Sequence, residues 1–204
     1  MRGVSTIESN AEPTDDAGSA RPADPEPDQP PQPAPCDNAQ ANPPALDLLN
    51  AEKWLCEAEI RWLSEMSRRA LRELKRGDPK VAGGEVRARL VGDTEMSRLH
   101  LEFLDDPATT DVLTFDHTND PNAALDVDLA LCVDEARRQA SAHNIELKHE
   151  LLLYLVHGVL HCVGYDDRTP AESDRMHRRE DDVLRAIGAG AVYTPDRSDS
   201  GDTQ

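Results

Sequence analysis

The sequence predicts a fold in which α-helices and β-strands share one core. Two segments, residues 85–91 and 127–133, alternate apolar and polar side chains, as strands with one buried face do. A third segment, residues 147–162, is apolar on nearly every side, which is typical of a central buried helix. The length of 204 residues suits one domain plus a tail. We therefore predict one folded domain over residues 45–188.

The two ends of the chain differ from this domain. Residues 1–44 are rich in proline and acidic side chains, with PEPDQPPQPAP at their centre, and the whole chain has a formal net charge of −18. Such a composition cannot bury enough apolar surface to offset the conformational entropy of the chain. We predict that residues 1–44 form a disordered acidic, proline-rich tail and that residues 189–204 form a frayed C-terminal tail.

The sequence also bears on the compartment of the protein. The N-terminal segment lacks the basic region and apolar stretch of a secretory signal, and no later apolar run has the length of a membrane span. The four cysteines are scattered without a CxxC pair, which favours free thiols over a disulfide framework or a thiolate zinc site. A soluble cytoplasmic protein is the prediction that follows.

The first half of the domain contains an amphipathic helix, a strand and a second helix. Apolar side chains recur at helical spacing in the first of these: Leu55, Ala58, Trp62, Met66 and Ala70. This helix is predicted to end before Gly77 and Pro79. Residues 85–91 form the strand, and Asp93 is the predicted N-cap of a helix through Phe103.

The second half contains two strands followed by three helices. Residues 109–115 (TTDVLTF) and 127–133 form the predicted strands, separated by a polar turn. Helices are predicted over residues 134–143 and over the apolar segment from residue 147 to Gly164. The last helix is predicted over residues 170–187, with a proline in its first turn.

The apolar helix carries the most informative side chains. His157 and His161 are four residues apart, so they lie on one helix face and can share a divalent ion. Gly164 allows the chain to turn, which brings Asp166 and Asp167 back as candidates for a third ligand. Histidines at this spacing also occur by chance in buried hydrogen bonds. The HExxH motif of zinc peptidases is absent, because Gly158 stands where that motif has its glutamate.

Three segments of the chain resemble one bacterial protein family. The stretch HGVLHCVGYDD resembles the signature HGxLHLxGYDH of the YbeY family; TTDVLTF is similar to its PTDVLSF, and VDLALC to its GDIVIC. The resemblance implies an α+β fold, with a small mixed sheet packed against helices and a zinc site on the central buried helix, in a cleft facing RNA. It further implies a zinc-dependent endoribonuclease acting in rRNA maturation and ribosome quality control, with rRNA precursors and ribosomal proteins as partners.

Three of the departures from the family pattern bear on the expected site. Asp167 stands where the signature has its last histidine, the third zinc ligand; because a carboxylate also binds zinc, the expected ligand set is His157, His161 and Asp167. Asp166 is the alternative third ligand. Leu104 stands where the resemblance implies an arginine that faces the RNA phosphate, and leucine cannot neutralise a phosphate. Val127 replaces a glycine.

The sequence leaves the catalytic residues and the RNA-binding surface open. Asp128 is either a general base or a structural hydrogen-bonding acid. Arg87 and Arg89 on the strand, with Arg137 and Arg138 on the next helix, form either a basic patch for RNA or an ordinary solvated face. Two functions therefore remain: a zinc endoribonuclease, or a metal-binding ribosome-assembly or protein-interaction module that has lost RNA cleavage.

Overall fold

A computed structural model describes the backbone of residues 5–8, and residues 42–118, 120 and 123–190 in full. The strands are β1 (Ser5–Glu8), β2 (Ala45–Leu49), β3 (Gly84–Val91), β4 (Val112–Asp116) and β5 (Leu125–Cys132). The helices are α1 (Glu57–Gly77), α2 (Asp93–Leu104), α3 (Val133–His143), α4 (Leu147–Cys162) and α5 (Pro170–Ala186), with a short 3-10 helix at Pro79–Val81. None of the helices in this part of the chain combines the length and apolarity that crossing a bilayer requires.

The strands form one mixed sheet in the order β1-β4-β5-β3-β2. The pairs β1–β4, β5–β3 and β3–β2 are parallel, and β4 runs antiparallel to β5. The prediction of an α+β fold with a small mixed sheet packed against helices is confirmed.

The two faces of the sheet are covered unequally. Alternate side chains of β3 and β5, among them Val86, Leu129 and Leu131, pack with α1 and α4 in the larger apolar cluster. The opposite face carries a smaller cluster in which α2 packs on residues of β4 and β5 such as Leu113 and Ala130. Because successive strand residues point to opposite faces, β3, β4 and β5 each contribute to both clusters.

Most predicted elements are present, with shifts at their ends. Strand β2 was not predicted, because a five-residue edge strand with only Leu46 and Leu48 packed on the core gives little periodicity. Asp93 is not the N-cap of α2: Gly92 holds that position, and Asp93 begins the helix. The Asp93 carboxylate instead accepts hydrogen bonds from the Arg138 guanidinium at 2.7 and 2.9 Å.

The tails are described only in part. Strand β1 lies inside the segment predicted to be a disordered tail, and residues 5–8 pair there with β4. Residues 9–41 lie outside the described residues, as do residues 191–204. Ala189, placed in the predicted frayed tail, still donates a backbone hydrogen bond to Leu184 at 2.8 Å.

Gly158 sets how closely α4 approaches the sheet. A Cβ atom at this position would lie 2.9 Å from Leu129 Cδ2, 3.2 Å from Thr114 Oγ1 and 3.3 Å from Val112 Cγ2. These distances are shorter than ordinary van der Waals contacts, so only glycine fits unless these side chains of β4 and β5 move. The same crowding explains why the glutamate of an HExxH motif has no room here.

Gly158→Ala should therefore destabilise the protein by about 1 kcal/mol. Overpacking costs about 1–3 kcal/mol, and the higher helix propensity of alanine offsets roughly 1 kcal/mol of this. Urea denaturation of the two proteins measures this difference. Gly77→Ala is the control, since its added Cβ meets only the flexible guanidinium of Arg179; it should leave stability unchanged or increase it. A Gly158→Ala protein as stable as Gly77→Ala would contradict the close approach.

Candidate metal centre

The two histidines of α4 face each other at its C-terminal end. His157 Nε2 and His161 Nε2 are 3.3 Å apart, and the ring planes are nearly perpendicular. His157 is buried and His161 is half-buried. Both imidazoles therefore present the same nitrogen atom to one point at the edge of the core.

The other nitrogen of His157 is held by a side chain from α5. Glu180 Oε1 lies 2.5 Å from His157 Nδ1, and the glutamate is completely buried. The second oxygen, Glu180 Oε2, has no hydrogen-bond partner among the described residues. When Nδ1 carries the proton and donates a hydrogen bond to this carboxylate, Nε2 of His157 is left free to act as a ligand.

The surroundings shift the pKa values of the two histidines in opposite directions. Burial lowers the pKa of His157, but the hydrogen bond and charge of Glu180, helped by Asp111 and Asp167, raise it overall above its usual value. Burial, together with the neighbouring His157, lowers the pKa of His161. As the pH falls, His157 should therefore be protonated before His161, and a metal ion must compete with that proton.

A glycine turn returns the chain to the histidines. Gly164 has φ +96°, in the left-handed region that favours glycine, and its N–H donates to His161 O at 3.0 Å. Thr169 then caps α5, accepting a hydrogen bond from the backbone N–H of Glu172. The short loop between these two points carries Asp167, which offers a ligand oxygen such that all three donor atoms of His157, His161 and Asp167 lie within 4.8 Å of one another.

Asp166 has a different role in this loop. Its Oδ1 accepts the backbone N–H groups of Asp167 at 2.8 Å and Arg168 at 3.3 Å, and its Oδ2 accepts the Arg168 side chain at 2.6 Å. Burial acts to raise the pKa of Asp166, but these hydrogen bonds lower it overall. The structure therefore brings Asp167, rather than Asp166, into the cluster with the histidines.

The cluster fits the requirements of zinc. Two imidazole nitrogens and a carboxylate oxygen are donors that zinc accepts, and the edge of a zinc tetrahedron with nitrogen ligands measures about 3.3 Å. The observed separation of the two Nε2 atoms is 3.3 Å. The buried carboxylate behind His157 is the usual orienting partner of a metal-bound histidine.

Two residues near the cluster were missed in the sequence. Glu180 falls on the apolar face of α5, between Met176 and Val183, and a charged side chain at that spacing was the available signal. Asp111 is buried at the start of β4; its Oδ1 accepts the Thr110 hydroxyl and the Val112 N–H, and its Oδ2 has no hydrogen-bond partner among the described residues. Burial raises the pKa of Asp111, against the influence of His157.

Asp128 is placed away from this cluster. It alternates with Val127 and Leu129, which pack in the core with α4, so its carboxylate lies on the opposite face of the sheet. There it pairs with Arg87 and lies 3.3 Å from His117 Nε2. This placement does not support Asp128 as the general base and agrees with a structural acid.

The four arginines considered as an RNA-binding patch are all ion-paired. Arg87 pairs with three carboxylates, Arg89 with Glu95, Arg137 with Asp134, and Arg138 with Asp93 and Glu135. The ordinary solvated face is therefore the better description. Leu104, where the resemblance implies arginine, ends α2 and packs against the smaller apolar cluster.

The chain is similar to several known proteins. A protein named endoribonuclease YbeY from Chlorobium phaeovibrioides is 35% identical over 144 residues, which cover 67% of this chain and 96% of that protein. The protein of the same name from Mycobacterium ulcerans is 35% identical over 132 residues, covering 59% and 74%. The solution structure of TM1509 from Thermotoga maritima aligns with 76% of this chain and 97% of its own, at 21% identity and a TM-score of 0.42. The family model described as endoribonuclease YbeY matches residues 50–188, more than half of the chain, and the chain belongs to this family.

Proposed function

We propose that the protein is a zinc-dependent endoribonuclease that acts in rRNA maturation and ribosome quality control in the cytoplasm. The single observation that carries the proposal is the cluster of His157, His161 and Asp167, whose donor atoms lie within 4.8 Å of one another. Membership of a family whose members are named endoribonucleases supports the reaction and the RNA substrate. The three described cysteines, which are free thiols, are consistent with the compartment.

In this proposal the side chains at the site have different roles. His157, His161 and Asp167 hold the metal, and Glu180 keeps His157 in the tautomer whose Nε2 is available. Zinc supplies Lewis acidity to the hydrolysis of a phosphodiester. The Asp167 carboxylate adds a negative charge that a third histidine would not, which reduces that acidity. Asp111 is buried close enough for its charged form to raise the pKa of His157, although burial favours the neutral form of this acid.

Cleavage of a structured RNA by the full chain tests the proposal. We expect cleavage that a chelator abolishes and added zinc restores, and a loss of at least about 100-fold in His157→Ala, because removing a ligand should exceed the effect of removing an orienting partner. His149→Ala is the matched control, since His149 lies at the other end of α4 against Trp62 and should leave the rate unchanged. Elemental analysis of the same preparations should find about one zinc per wild-type chain.

A second function is favoured by Leu104. An apolar side chain packed on the smaller cluster offers no charge to a phosphate, which suits a metal-binding ribosome-assembly or protein-interaction module without cleavage. A wild-type protein that binds zinc but cleaves no RNA would establish this alternative. Leu104→Arg should then be tested for a gain of cleavage.

A further inference from the structure

The sheet face opposite α4 has a groove that α2 leaves uncovered. Its volume is about 530 Å³, within the range of sites that bind ligands and peptide side chains. Its lining includes Leu49 from β2, Phe103 from α2, and Phe115 and Ala130 from β4 and β5. We call this the open groove. Because it lies on the other face of the sheet, it is separate from the metal centre and its function does not depend on the proposed one.

Two large apolar side chains that line the open groove are exposed, above a floor of buried ones such as Leu99 and Ala130. Leu49 and Phe103 are 50% and 46% exposed, and they are two of the three exposed large apolar side chains in the described part of the chain. The rings of Phe103 and Phe115 meet edge to face, with centroids 4.9 Å apart, so the apolar wall has a defined shape. Clustered exposure of this kind marks a binding surface.

The polar side chains around the open groove carry an excess of negative charge. Arg87 is shared by Glu85, Asp126 and Asp128, so three carboxylates surround one guanidinium. Asp47 adds a further exposed acid on β2. The second arginine of the lining, Arg89, is neutralised by Glu95. An apolar floor with an acidic border complements a ligand that is both apolar and positively charged.

We propose that the open groove binds a basic peptide segment of a partner protein, with aliphatic or aromatic side chains in the groove and lysine or arginine side chains on the carboxylates. Three other occupants are disfavoured by charge. RNA would place phosphates against the acids, and a second copy of the chain would bring together two proteins of net charge −18. Residues 9–41 of this chain contain seven acidic residues and one arginine, so they repeat the charge of the border.

Selection from a phage-displayed library of random peptides, with the full chain as bait, tests the proposal. The bait for counter-selection is Leu49→Ser/Phe103→Ser, which removes the two exposed side chains and leaves the core intact. We expect enriched peptides that combine lysine or arginine with leucine, phenylalanine or tryptophan. In fluorescence anisotropy, such a peptide should bind the double variant at least about tenfold more weakly than the wild type, and more weakly at high salt.

Leu101→Ser is the matched control, because Leu101 is 50% exposed on the same helix but does not line the groove; its affinity should equal that of the wild type. Asp47→Lys should weaken binding, and Glu52→Lys, an exposed acid outside the groove, should not. The proposal is overturned if no peptide distinguishes wild type from the double variant, or if the enriched peptides are acidic. Three other results would overturn it by identifying a different occupant. An RNA oligonucleotide could bind the groove, or the double variant could abolish a dimer formed by the wild type. Peptide binding could also appear only after removal of residues 9–41, which would show that this segment occupies the groove.

Discussion

Asp167→Ala is expected to weaken zinc binding by more than about 100-fold, a larger effect than the loss of an orienting partner. Its carboxylate is the third donor of the cluster, within 4.8 Å of both histidine nitrogens, and the variant leaves only two ligands. Competition with a chromogenic chelator measures the affinity. Asp167→His should retain the metal, and since a neutral imidazole leaves zinc more acidic than a carboxylate does, hydrolysis should begin at a lower pH.

Asp166→Ala provides the control for this prediction. Asp166 is the adjacent residue with the same side chain, but its oxygens are engaged by the backbone of the loop and by Arg168. Its removal loosens the loop and should reduce zinc affinity by less than about tenfold, through orientation alone. If Asp166→Ala loses the metal and Asp167→Ala keeps it, the third ligand has been assigned to the wrong aspartate.

Glu180→Gln is expected to reduce zinc affinity by about 10–100-fold, although Glu180 does not face the metal position. The amide can still accept the hydrogen bond from His157 Nδ1, but it no longer supplies the charge that makes the imidazole a better donor. In the wild type, Glu180 contributes to the raised pKa of His157, so protons compete with zinc up to a higher pH. The deficit of the variant should therefore be largest at alkaline pH and become smaller as the pH falls.

Asp181→Asn is the matched control for Glu180→Gln. Asp181 is the next residue of α5 and is also completely buried, but it forms an ion pair with Arg185, at 3.5 Å. We expect Asp181→Asn to lower the melting temperature and to leave zinc affinity within about threefold of the wild type. Equal zinc affinity in Glu180→Gln and wild type at alkaline pH would show that the carboxylate does not orient His157.

The fold was predictable where periodicity is strong. The amphipathic pattern of α1, the alternation in β3 and β5, and the predominantly apolar sequence of α4 each indicate one kind of element. Strands β1 and β2 were missed because both are short edge strands, stabilised by pairing with a neighbour that is distant in sequence. Such pairing depends on tertiary structure, and local propensity does not report it.

Only those residues of the candidate site that lie in one continuous sequence motif could be predicted. The two histidines and Asp167 lie within eleven residues, and the helix period with one glycine turn brings them together. Glu180 reaches His157 from another helix, so its role depends on how α5 packs on α4. The same holds for Asp128, whose position on the far face follows from the register of β5 and could not be deduced from its place in a motif.

The contact between Glu180 and His157 has a consequence for biosynthesis. Since the chain is made from its N-terminus, the histidine ligands on α4 leave the ribosome before the glutamate on α5 that orients them. On the proposed assignment, a nascent chain that has folded only as far as α4 has two imidazoles without their carboxylate partner and should bind zinc poorly. We therefore expect high zinc affinity only once α5 docks, so that a chain interrupted before this helix would lack the proposed metal centre.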